Sequence, residues 1–141
     1  MHTGSETLTL HADLAELAQV NAWLATAAAR LALPEATIFA LDLCLEEAVS
    51  NIIRYSLADA PPEQQAVRLT MSREATLLRL VIEDHGPEFD PLQAPDPQLP
   101  TRLEDAAIGG LGIHLMRRFT QSMHYQRRDG INRLSLDFPL V

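Results

Sequence analysis

Glu47 and Asn51 stand four residues apart in Glu46-Glu47-Ala48-Val49-Ser50-Asn51, with Tyr55 a further four along, so on a helix all three share one face. A carboxylate and a neutral amide so placed suit phosphoryl transfer or hydrolysis. The carboxylate can accept a proton from a nucleophile, and the amide oxygen can give Mg²⁺ one ligand without demanding full dehydration. Spacing alone fits a solvated polar face at least as well, and this face is expected roughly opposite Leu45, Val49 and Ile52. Glu46, with Asp42 at i−4, leaves open which carboxylate matters. A second segment, Asp84-His85-Gly86-Pro87-Glu88-Phe89-Asp90-Pro91, follows the apolar run Leu80-Val81-Ile82. A strand-end carboxylate there can accept hydrogen bonds from an adenine amine, or equally can cap a turn. The third segment, Gly109-Gly110-Leu111-Gly112-Ile113-His114-Leu115-Met116, opens a helix with backbone donors suited to phosphate. Four of the six glycines lie in these last two segments, where backbone must come close to a ligand.

These segments need elements to hold them. Leu8 and Leu10 alternate with Thr7, Thr9 and His11, which predicts a short strand, and Asp13 can cap the helix that follows. Apolar residues from Leu14 to Leu31 recur at helical spacing. Pro34 fits the first turn of a second helix, whose stripe Ile38, Leu41, Leu45, Ala48, Val49 and Ile52 runs to about Tyr55 before Pro61-Pro62 ends it. Val67–Met71 and Leu77–Ile82 read as strands joined by a polar turn at Ser72–Ala75, the second central and covered because it is nearly continuous in apolar residues. Residues 86–108 hold five of the nine prolines and no usable period, which predicts a lid. A third helix spans Gly112–Phe119, and Ser122–Arg128 pairs with Ile131–Phe138 across Asp129-Gly130. The order predicts one α+β domain over residues 1–141, a two-layer sandwich with helices on one face of a mixed, mainly antiparallel sheet.

Composition removes several classes of function. All eleven basic residues are arginine, so a P-loop, a eukaryotic-type kinase with its strand lysine, and a Schiff-base lysine are excluded. The net charge of −8 argues against direct nucleic-acid or membrane binding, although Arg117-Arg118 and Arg127-Arg128 leave room for a local basic patch. Neither a secretory leader nor an apolar run of membrane length is visible, so the chain is read as cytoplasmic. Cys44, the single cysteine, falls within an apolar helical pattern and reads as a small buried hydrophobe. The histidines show no zinc-site spacing.

Taken in order, the three segments resemble the N, G1 and G2 boxes of the ATP-binding superfamily that includes gyrase, Hsp90, histidine kinases and MutL. The Glu-Ala-Val-Ser-Asn helix, Phe89-Asp90-Pro91 and Gly-Gly-Leu-Gly-Ile-His-Leu-Met look most like the bacterial anti-sigma-factor serine/threonine kinases of the RsbW and SpoIIAB type. The resemblance implies the histidine-kinase-like, or Bergerat, fold, with ATP and Mg²⁺ as cofactors. It makes Glu47 the general base, Asn51 the Mg²⁺ ligand, Asp84 the adenine contact and Gly86 the point of close approach. Arg54, Gly109, Gly110, Leu111, Gly112 and Ile113 complete the implied nucleotide site. Its implied partners are a sigma factor or related regulator and a STAS-type antagonist that is phosphorylated in a partner switch, with a homodimer as the common assembly. Three positions depart from the pattern: Tyr55 stands for a histidine, Glu88 for a glycine, and Asn132 removes the hydroxyl of the frequent Gly-Thr. They motivate the alternative of a regulatory binding module, with or without nucleotide, that performs no catalysis.

Overall fold

The computed structural model describes residues 4–11, 13–53, 57, 61, 65–88, 90–93 and 110–140. Strand β1 (Gly4–His11) leads through a single 3₁₀ turn (Leu14–Glu16) into α1 (Leu17–Arg30), and α2 (Glu35–Asn51) follows. The hairpin β2 (Ala66–Arg73) and β3 (Leu77–Asp84) comes next, and α3 (Gly110–Phe119) precedes the hairpin β4 (Ser122–Arg128) and β5 (Ile131–Pro139). The sheet has the order β1-β2-β3-β5-β4, and among the described residues all four pairings are antiparallel, without the parallel component that a mixed sheet would contain.

Local chemistry accounts for the boundaries. Asp13 Oδ1 accepts the Ala15 N–H at 2.8 Å where the first helical segment begins. The end of α1 is closed by Ala32 at φ 52°, with the Leu33 N–H bonded back to the Ala28 carbonyl at 3.0 Å, a reversal that usually calls for glycine. Arg73 Nη1 completes that end by donating to the Leu31 and Ala32 carbonyls, each at 2.7 Å. Pro34, extended at φ −64° and ψ 152°, precedes α2. The β4–β5 turn has Asp129 at φ 54° and Gly130 at φ 77°, the twin left-handed geometry expected of an Asp-Gly hairpin.

Burial follows the two periods. Leu10, Val67, Leu69, Met71, Leu78, Leu80, Ile82, Leu136 and Phe138 form the covered face of the sheet, against Leu24, Leu41, Leu45 and Val49 of the helices. β3 is central as expected, yet it is covered on one side only: Leu78, Leu80, Ile82 and Asp84 are buried, while Leu77, Arg79, Val81 and Glu83 are half-buried. The reason is that the described helices pack on one face, and the other carries rows of ion pairs, Arg133 with Glu83 at 2.8 Å and Arg79 with Asp137. No helix among the described residues is long and apolar enough to cross a membrane.

Two expectations follow from these contacts. Cys44 is fully buried in α2, and burial pushes its thiol up to about 12. Native protein should therefore resist Ellman's reagent and react only after denaturation; immediate reaction of the folded protein would contradict this packing. Arg79 donates to Asp137 through Nε at 2.8 Å and Nη2 at 3.2 Å, and these bonds hold the Asp137 carboxyl below its usual range despite partial burial, helped by the Ser122 hydroxyl. Because the folded value is depressed, this stabilisation is complete above the ordinary Asp value of about 3.9 and is lost as pH falls through the folded value. Arg79 is 41% exposed, so solvent screens the pair, and Asp137→Asn should lower the melting temperature at neutral pH by only about 2–5 °C. The variant should also lose less stability than the parent between about pH 5 and about pH 2; identical acid sensitivity would remove the pair from the account.

Candidate nucleotide site

The period-2 alternation of β3 fixes the first site residue. Leu78, Leu80 and Ile82 face the helices, and the next position on that face is Asp84, 4% exposed at the strand's end. A carboxylate carried by its strand into the apolar layer requires donors. Its Oδ1 accepts the Gly86 N–H at 2.8 Å and the Asn132 amide Nδ2 at 3.0 Å. Asn132 sits directly opposite Asp84 in the β3–β5 register.

A small pocket open to solvent is lined by this carboxylate. The last turn of α2 supplies Ala48, Asn51 and Ile52 to its wall, and α3 supplies Met116. Ile82, Pro91 and Leu134 complete the apolar part, while Asp84, Asn132 and Tyr125 form a polar end. Apolar walls with a few fixed polar groups suit a flat heteroaromatic ring with hydrogen-bonding edges.

Asn51 does not lie on a solvated face. It is 5% exposed, beside Ile52 on the pocket wall. An amide on a pocket wall can offer a donor or an acceptor to a ligand held there. Glu47, one turn earlier, is half-buried and does not line the pocket, and it has no hydrogen-bond or ion-pair partner among the described residues. Glu46 is exposed and, with Asp42, lines a separate groove between α1 and α2.

Pro91 forms part of the wall, and its neighbours in the chain are tied to it by local bonds. Gly86 is buried, Asp90 Oδ1 accepts the Leu92 N–H at 2.9 Å, and Arg117 of α3 donates to the Leu92 carbonyl at 3.0 Å. The remainder of the expected lid, with Gly109, lies outside the described residues, as do Arg54 and Tyr55. Gly110, Leu111, Gly112 and Ile113 form the first turn of α3, two residues earlier than the expected helix start. Glu88 is exposed and away from the pocket wall.

Sequence reasoning missed three polar residues here. Asn132 Nδ2 also donates to the carbonyls of Gly86 at 3.2 Å and Pro87 at 2.9 Å, and its Oδ1 accepts from the Tyr125 hydroxyl and from Arg127 Nη1 at 2.9 Å. Arg127 also donates to the Gly86 carbonyl at 2.9 Å, so this arginine is structural and does not serve a basic patch. Pairing β5 with β3 by their alternation would have set Asn132 opposite Asp84; nothing local marks Tyr125 or Arg127.

Comparison with known proteins agrees with this geometry. The model of the histidine kinase-like ATPase domain matches residues 10–138. The serine/threonine-protein kinase BtrW of Bordetella bronchiseptica is 36% identical over 136 residues, covering 96% of this chain and 94% of BtrW. Among solved structures, the RsbU and RsbW domains of Rv1364c from Mycobacterium tuberculosis superpose with a TM-score of 0.66 at 15% identity, covering 98% of this chain and 33% of that one. The histidine kinase domain of the blue-light-activated histidine kinase from Erythrobacter litoralis gives a TM-score of 0.55 at 18% identity, over 89% of this chain and 60% of that one. These two likenesses concern the fold, and the chain spans only a third of the first protein. The family model over nearly the whole chain and the kinship with BtrW together show that the chain belongs to the histidine kinase-like ATPase family.

Proposed function

We propose that this chain is an ATP-dependent protein serine/threonine kinase that phosphorylates a STAS-type antagonist and sequesters a sigma factor or related regulator in a partner switch. The observation that carries the reading is that the buried Asp84 carboxylate and the Asn51 amide line one pocket, in a chain 36% identical to a serine/threonine-protein kinase. Asp84 accepts a hydrogen bond from the adenine amine, and the apolar walls take the faces of the ring. The phosphates lie toward the first turn of α3, where the N–H groups at Gly110 to Ile113 and the helix dipole favour anions.

The residues suit Mg²⁺ held by substrate more than a protein-caged metal. No group of three His, Cys, Asp or Glu side chains among the described residues could hold a cation, and a single amide oxygen, from Asn51, matches an ion that keeps several waters and binds the phosphates. When bound, Mg²⁺ neutralises phosphate charge. In the transfer step the acceptor's Ser or Thr hydroxyl gives its proton to Glu47 while its oxygen bonds the γ-phosphorus; the bond to the bridging oxygen breaks, and ADP leaves. Gly86 keeps the backbone close to the base, and residues 86–108 serve as the lid.

A second reading, a regulatory module that holds nucleotide without transferring phosphate, is favoured by the position of Glu47 outside the pocket wall. Two variants separate the readings. Glu47→Ala should lower phosphotransfer by roughly 10²–10⁴-fold with ATP affinity largely unchanged, and equal rates in variant and parent would remove Glu47 from the chemistry. Asp84→Ala should weaken ATP binding by about 1.5–3 kcal/mol, roughly 10- to 150-fold in Kd by titration calorimetry, and an unchanged titration would place the base elsewhere.

A further inference from the structure

We propose that Asn132 is the positioning residue that fixes the Asp84 carboxylate for reading the amine of the base, and that Tyr125 and Arg127 lock Asn132 in the one orientation that does so. The proposal rests on the reading of Asp84 as the adenine contact. The Asn132 amide nitrogen faces three acceptors: Asp84 Oδ1 at 3.0 Å, the Gly86 carbonyl at 3.2 Å and the Pro87 carbonyl at 2.9 Å. Its oxygen faces two donors, the Tyr125 hydroxyl and Arg127 Nη1. Turning the amide over would set its oxygen against a carboxylate and two carbonyls and its nitrogen against a guanidinium, so the chemistry of the partners forces the assignment.

Asn132 is 4% exposed, and its bonds to Asp84 and to the Gly86 carbonyl are buried. The carboxylate is thereby anchored through Oδ1 by Asn132 and by the Gly86 N–H, whose own carbonyl is held by Arg127 at 2.9 Å. One amide thus ties β5, the edge strand β4 and the turn after β3 to the orientation of Asp84, before any ligand arrives. Such preorganisation lowers the cost of binding. No other side chain of this size does the same: aspartate brings no donors in its ionised form, and threonine brings one. The charged groups in the network are Asp84 and Arg127, and α2 faces the pocket with the neutral Asn51. None of the five contacts involves α3 or Glu47, so the effect belongs to the base and not to phosphoryl transfer.

The test compares Asn132→Asp and Arg127→Met with the parent, using ATP and purine riboside triphosphate, which lacks the 6-amine. Asn132→Asp should weaken ATP about tenfold or more, yet change the affinity for the purine nucleotide by less than about threefold. Arg127, on the edge strand, is the milder probe should the first variant fold poorly; its loss should be about threefold and again confined to ATP. Equal losses for both nucleotides would make the network merely structural, and no loss in a folded variant would remove it; either result overturns the proposal. A parent protein that binds the two nucleotides equally, together with an Asp84→Ala variant that keeps full ATP affinity, would show instead that the underlying reading of Asp84 has failed.

Discussion

The structure turns on a carboxylate placed at the buried end of a central strand. Taking Asp84 out of water without donors would cost several kcal/mol or force it to neutralise. The fold answers with a backbone N–H two residues on and an amide from the neighbouring strand. That answer constrains much else. It requires β5 to pair with β3 in the register that sets Asn132 opposite Asp84, and it requires the tight Asp129-Gly130 turn that returns the chain in time. It also requires the chain after β3 to fold back as pocket wall, with Arg127 and Arg117 holding its carbonyls at Gly86 and Leu92.

The two layers serve the same end. An antiparallel sheet with one covered face gives each central strand a strict inward alternation, so the inward position after Ile82 is occupied whatever its polarity. α2 crosses that face with Leu41, Cys44, Leu45, Ala48 and Val49 fully or nearly buried, and its last turn carries Asn51 inward beside Ile52. A site lined by a helix end, a strand end and a hairpin is built mostly from regular elements, which fix side chains more closely than loops do. The open face of the sheet, with its arginine–carboxylate rows, contributes solubility and little to the site.

Much of this was legible in the chain. The alternations of β2 to β5, the Asp-Gly hairpin and the helix stripes depend on local periods that a sequence displays directly, and the order of the three motif segments carried the fold. The covered face of β3 was misjudged because Leu77, Val81 and Leu80 read as a continuous apolar run, whereas tertiary layering buries only alternate members. Asn51 reads as half of a polar helix face, yet the helix angle leaves it next to Ile52, and a packed neighbour decides its burial. Asn132 was read as the loss of a hydroxyl; across the strands it is instead the best-connected side chain of the site, a property that depends on partners forty and more residues away. The same limit applies to Glu47, whose distance from the pocket wall no spacing along α2 displays.

Family membership, the pocket and the placement of Asp84 and Asn51 converge on nucleotide chemistry, and the central claim is that this chemistry ends in transfer to a protein hydroxyl. Intact mass measurement after incubation with MgATP and a candidate STAS-type acceptor tests it most directly. The account predicts that the acceptor gains the mass of one phosphate, that the chain itself gains none at turnover, and that ADP appears in equal amount. An acceptor that stays unmodified while forming a stable complex with the ATP-bound chain would contradict it.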